Sequence, residues 1–174
     1  SSFYFDIRKD TLYCDDPNTI LRRSTRTILN IVFIRLTTWL APILPFTTEE
    51  VWLERFSTAG DSVHMEDIPI TPSDWFKPEL GEKWREIRQV RKVVTGAIEV
   101  FRQNKTIGSS LEASPLVYIN STPLFDKIKS IDFAEICITS ALEISSAEIS
   151  NEMFTLDDVD SVGVIFQHSR GNKC

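Results

Sequence analysis

The chain has 174 residues, 42% of them hydrophobic and 25% charged, enough for one core, or one core and a small appendix. A formal net charge of −6 excludes a generic polyanion binder that works by overall positive charge, but it leaves a local basic patch open. The cysteines Cys14, Cys137 and Cys174 are odd in number and widely spaced, which excludes a disulfide scaffold and fits a reducing compartment.

"SSFYFDIRKD" carries charges where a signal peptide has its apolar core. It reads as the last turns of a helix. A start without Met and an end on a lone cysteine suggest a piece of a longer protein. Pro17 then marks the approach to a long helix, with Asn18 or Thr19 as its cap. Leu21, Thr25, Ile28, Val32, Leu36 and Trp39 recur at helical spacing and form its expected buried stripe, while Arg22, Arg23, Arg26 and Asn30 fall on another face. Pro42 and Pro45 close it. "TTEEVWLERF" predicts a shorter helix capped by Thr47 or Thr48. The proline-bounded connector that follows carries one short extended piece around Val63 to Met65.

A second long helix is predicted from about Glu82 to Asn104, with Ile87, Val90, Val94, Ala97, Ile98 and Phe101 inward. Arg88, Arg91, Lys92 and Arg102 share one flank, Arg85 lies further round, and Lys105 closes it. Gly96 is its weak point, where another element can approach closely. Gly108 is expected to stop the helix at positive φ, and Ser109 or Ser110 to cap a further turn. After Pro115 the texture changes. "PLVYIN" is strand-like, "STPLFDKIKSI" a short helix with Pro123 in its first turn, and "DFAEICITSALEIS" turns from helix to strand. "DDVDSVGVIFQHS" alternates as a strand. The expectation is a mainly helical body packed as a bundle over residues 1–114, then a small α/β appendix over residues 115–174.

Few residues carry chemistry. His64 sits in a solvated connector with no orienting partner beside it. "DDVD" at 157–160 lacks the glycine and closing glutamate of a calcium loop and reads as a turn before a strand. "GSS" follows a helix, the reverse of a phosphate-binding loop. Cys14 and Cys137 sit among apolar residues and read as packed thiols. Cys174, even with His168, does not complete a four-ligand zinc site. The basic flanks stand out. They are either solvated helix faces or an RNA contact surface, where guanidinium groups suit phosphates and base edges.

"FYFDIRKDTLYCD", "TTWLAPILPFTTEEVW", "WREIRQVRKVVTGAIEVFRQNKTIGSSLEA" and the terminal "GNKC" occur in this order, over nearly the whole chain. Together they resemble the bacterial-type isoleucyl-tRNA synthetase family, a class I group. "APILPFTTEEVW" alone would fit the valyl and leucyl relatives equally well. The resemblance implies the helical anticodon-binding domain, with its first helix truncated, followed by a small junction domain cut at the first cysteine of a zinc module. It implies Arg22, Arg23, Arg26, Arg85, Arg88, Arg91, Lys92, Arg102 and Lys105 as tRNA contacts, with Cys174 a zinc ligand only in the full-length protein. The catalytic signatures of the family are absent from the chain, as is its editing domain. ATP with magnesium, structural zinc and the joining of isoleucine to its tRNA are therefore expected of the longer protein, not of this segment. The implied partners are the anticodon stem-loop of the isoleucine tRNA and the rest of the same chain, in a cytoplasmic monomer with no membrane or DNA role. The alternatives are the matching domain of a valyl or leucyl enzyme, or a helical protein-interaction module.

Overall fold

The computed structural model describes residues 2–56 and 60–171. It is mainly helical, with one small mixed sheet, and it divides into two units after Phe76.

In the first unit, α1 (Ser2–Ile7) and α2 (Lys9–Tyr13) precede α3 (Ile20–Leu40). Thr19 caps α3, its hydroxyl accepting from the Arg22 N–H, as its position before the apolar run predicts. The next helix, α4 (Pro45–Arg55), starts earlier than expected. Pro45 is its first residue rather than a terminator of α3, because a proline at that position gives up a donor that no helix uses. Thr48 is not a cap. It is buried, and its hydroxyl donates back to the Leu44 carbonyl at 2.9 Å.

The expected buried stripe of α3 is corrected. Of the six, only Thr25 is buried; Leu21, Ile28, Val32, Leu36 and Trp39 are exposed, and Thr37 and Thr38 are buried in their place. Each threonine hydroxyl donates to the carbonyl four residues back: Leu21, Phe33 and Ile34 respectively. With the hydroxyl satisfied, a threonine presents a small methyl surface that lets a second helix approach. Phe33, Ile34 and Ala41 pack with Trp52 of α4, with Phe56 just after that helix and with Val63. Val63–Met65 is a 3₁₀ turn, not an extended piece. Ser62 caps it, and Glu49 of α4 accepts from the Ser62 hydroxyl and the Val63 N–H, both at 3.0 Å.

The second unit is built on α5 (Pro78–Gln103), again begun by a proline. Its apolar stripe is where the periodicity puts it: Ile87, Val90, Val94, Ala97 and Ile98 are buried, and Phe101 is half-buried, stacked on Phe166 with ring centroids 3.8 Å apart. The stripe packs on a four-stranded sheet in the order β2-β1-β4-β3, formed by β1 (Leu116–Ile119), β2 (Glu143–Ser145), β3 (Phe154–Leu156) and β4 (Val159–Ile165). β1 runs parallel to β2 and antiparallel to β4, and β3 and β4 form a hairpin around Asp157 and Asp158. Between β1 and β2 lie α6 (Thr122–Lys129) and α7 (Phe133–Cys137). Gly96 does allow a close approach, and its partner is β3: an added Cβ would stand 3.1 Å from the Phe154 ring.

Candidate nucleic-acid interface

The basic residues fall on both units. On the first turns of α3, Arg23 and Arg26 are exposed and make no ion pair among the described residues. Arg26 lines a groove of about 900 Å³ with Phe5, Leu29, Val32, Phe33 and Leu36. Arg22 is different. It is half-buried, its Nη1 donates to the Asp15 carbonyl, and its Nε is buried without a hydrogen-bond partner. Its guanidinium fastens the α2–α3 turn, leaving less of it to face a ligand.

On α5 the flank is interleaved with carboxylates. Arg85 pairs with Glu82, Lys92 with Asp158 at 2.5 Å, and Arg102 with Glu99 at 3.0 Å. Lys92 also holds the Asp158 carboxyl below the usual carboxylate range, chiefly through their hydrogen bond. Arg88 is exposed. Arg91 is half-buried, and its Nε donates to the Ile136 carbonyl at 2.8 Å. That carbonyl belongs to the last turn of α7, whose backbone then enters the left-handed region at Ile138 (φ 58°). Arg91 thus caps α7. Lys105 is exposed, with no side-chain partner among the described residues.

The end of α5 departs from expectation. Lys105, not Gly108, takes the positive φ (58°). The Thr106 N–H bonds the Phe101 carbonyl at 2.9 Å and the Lys105 N–H bonds that of Arg102 at 3.0 Å, the two-bond closure of a Schellman end. Gly108 donates its N–H to the Glu112 carboxylate at 3.2 Å, so that donor is already engaged. Ser109 caps the 3₁₀ turn Ser110–Glu112 as its spacing suggests. Bonds from Ser114 to Gln167 and from Ser169 to Glu112, both 2.8 Å, then tie this corner to the strand end beyond β4.

The remaining candidates carry no reaction. The His64 ring is held at 3.2 Å by the Pro45 carbonyl, and His168 lies edge-on to Phe166. Cys137 is buried, and desolvation pushes its thiol up from 9.0 to about 12 against the opposing pull of Arg91, so it is neither nucleophile nor thiolate ligand. Cys14 is exposed rather than packed as expected, so iodoacetamide at pH 8 is expected to label it and to spare Cys137 until the fold is opened with urea. Peptide mass mapping reads this out, and rapid native labelling of Cys137 would contradict it. Because the folded thiol holds its proton more tightly than the unfolded one, its stabilising contribution is full below pH 9 and is lost as pH rises toward 12. No group of three or more His, Cys, Asp or Glu is placed to hold a metal among the described residues, and Cys174 lies outside them. The described residues therefore offer no donor set for the zinc that the resemblance implies for the full-length protein. No described helix is long and apolar enough to cross a membrane.

Sequence reasoning located the basic flanks but missed their acidic partners. Glu82 and Glu99 stand three residues before Arg85 and Arg102, a spacing that signals a helical pair. Nothing local signals Asp158, which lies 66 residues from Lys92.

A model of the anticodon-binding domain of tRNA ligase matches residues 1–117. All 174 residues align with isoleucine–tRNA ligases: 52% identical to that of Brucella abortus, 50% to that of Agrobacterium fabrum and 49% to that of Bartonella henselae. The chain spans only 18% of the length of these relatives. With most of the chain matched and arginine-bearing helices standing where that match lies, the chain belongs to the anticodon-binding domain family of tRNA ligases.

Proposed function

We propose that the chain is the tRNA-binding portion of an isoleucine–tRNA ligase, engaging the anticodon stem-loop while the rest of a longer protein joins isoleucine to the tRNA with ATP and magnesium. The observation that carries this reading is the identity of about half over all 174 residues, including the corner and appendix beyond the family match. On this reading residues 1–114 form the anticodon-binding part and residues 115–174 the junction, with α5 lending its buried face to the latter. Zinc would be held outside the described residues. The protein works as a cytoplasmic monomer.

The chain's own task is positioning. Affinity won at the anticodon orients the distant acceptor end for reaction. Arg23, Arg26 and Lys105 are the exposed cations best placed to meet phosphates. Arg22 and Arg91 act mainly by holding the α2–α3 turn and α7. The exposed apolar residues of α3 suit a protein surface rather than RNA.

The test is a salt-titrated binding curve of the full-length protein with isoleucine tRNA. Arg23→Gln with Arg26→Gln is expected to weaken binding and to reduce the log–log salt slope by about 0.7–0.9 per lost phosphate contact. An unchanged affinity and slope would remove both residues from the site. An equal loss for tRNAs with intact and altered anticodons would make them phosphate contacts, with base reading elsewhere.

A further inference from the structure

The Lys92–Asp158 pair is not explained by fold stability. Both side chains are more than half exposed, at 58% and 62%, and exposed pairs of this kind contribute little. The Arg85–Glu82 and Arg102–Glu99 pairs can be read as ordinary three-residue helix spacing, but this one joins α5 to the tip of the β3–β4 hairpin. Asp158 is the residue of "DDVD" that bonds α5.

The consequence for a polyanion is direct. RNA gains affinity when a lysine replaces the small cations condensed on a phosphate. A lysine already bonded to a carboxylate offers less, because the phosphate must displace that carboxylate and then lie beside it. The carboxylate is tethered and cannot diffuse away as a free anion would. The penalty falls on every phosphate backbone alike. Among tRNAs, which all carry the ribose 2′-hydroxyl, it is recovered selectively only by one that brings the exocyclic amine of a base to Asp158. A device that weakens all ligands and compensates one provides selectivity.

We propose that Asp158 is a specificity-determining residue: it competes with RNA phosphate for Lys92 and so suppresses binding of tRNAs that bring it no base amine. This rests on the tRNA-binding reading above. Lys105, exposed and without such a partner, supplies affinity without this selection.

The experiment uses the full-length protein, with the isoleucine tRNA and a tRNA of different anticodon, each titrated across salt. Asp158→Asn is isosteric at an exposed turn. It is expected to tighten binding of the mismatched tRNA by about two- to fivefold, the range of an exposed ion pair. Its salt slope should steepen by about 0.7–0.9, with a smaller gain for the isoleucine tRNA. Lys92→Gln should weaken both tRNAs, and in the Lys92→Gln background Asp158→Asn should give no gain. Asp160→Asn controls for bulk charge, since Asp160 is exposed on the same hairpin with no ion pair among the described residues. An Asp158→Asn protein indistinguishable from wild type overturns the proposal, as does an equal gain from Asp160→Asn or a gain that survives Lys92→Gln. If wild type binds neither tRNA, the tRNA-binding reading falls too, whereas normal wild-type binding with a silent Asp158→Asn removes the proposal alone.

Discussion

Trp52→Ala is expected to destabilise the first unit by about 3–5 kcal/mol, the range for emptying a large aromatic site in a core. Trp52 is 4% exposed and is the largest side chain in the small cluster with Ala41 and Val63. Its ring stacks near-parallel to Phe33 at 6.2 Å and tilts against Phe56 at 4.5 Å. Phe33 comes from α3 and Phe56 follows α4, so removing the indole opens the contact between the two helices. The indole Nε1 is itself buried without a hydrogen-bond partner among the described residues. Trp52→Phe therefore discards an unsatisfied donor while keeping a ring, and its loss is expected to stay within about 1.5 kcal/mol. Urea denaturation followed by far-ultraviolet circular dichroism separates the two variants. A Trp52→Ala loss below about 1 kcal/mol, or a Phe variant as damaged as the Ala variant, would contradict this account.

Ile87→Ala is expected to cost the second unit about 2–5 kcal/mol, and Ile87→Val about 0.5–1.5 kcal/mol. Ile87 has no exposed surface, and it leads the run of Val90, Val94, Ala97 and Ile98 that seats α5. The valine variant matters for function as well. The basic flank lies on another side of the same helix, so Ile87→Val should leave tRNA affinity unchanged below the unfolding transition. Equal urea midpoints for Ile87→Ala and wild type would show that α5 does not seat through this residue. A tRNA defect in Ile87→Val would show that the flank depends on the packing beneath it.

What could be read from the residues alone depended on how local the cause was. The Thr19 cap, the α5 stripe and the proline-started α6 are each decided within one or two helical turns, and they stand where spacing put them. The α3 face was misread at Thr37 and Thr38, because threonine counts as polar in a periodicity argument yet becomes apolar once its hydroxyl finds the carbonyl four residues back. The Val63–Met65 turn owes its shape to Glu49, 14 residues earlier. The same limit applies to the site. Helical phase identified the cations, but whether each stands free or paired is settled by chain far away, as with Arg91 and the Ile136 carbonyl, 45 residues on. The family relationship was legible early because it rests on motifs in order, not on contacts.

The register of the sheet also sets an order of assembly. The central strand β1 finds its antiparallel partner only when residues 162–165 are available, since Val117 faces Val164 and Ile119 faces Val162. On a ribosome, α5 and β1 emerge well before that partner does. Ile87, Val94 and Ile98 must wait, exposed, for the hairpin of β3 and β4 to arrive and cover them. Loop closure over such a span is slow relative to helix formation. The first unit has a shorter wait, because α3 and α4 are neighbours in sequence and its core is complete once Val63 has emerged. Synthesis thus passes through a stage with one unit folded and a long amphipathic helix behind it unpaired, a species that a chaperone with an apolar groove would hold.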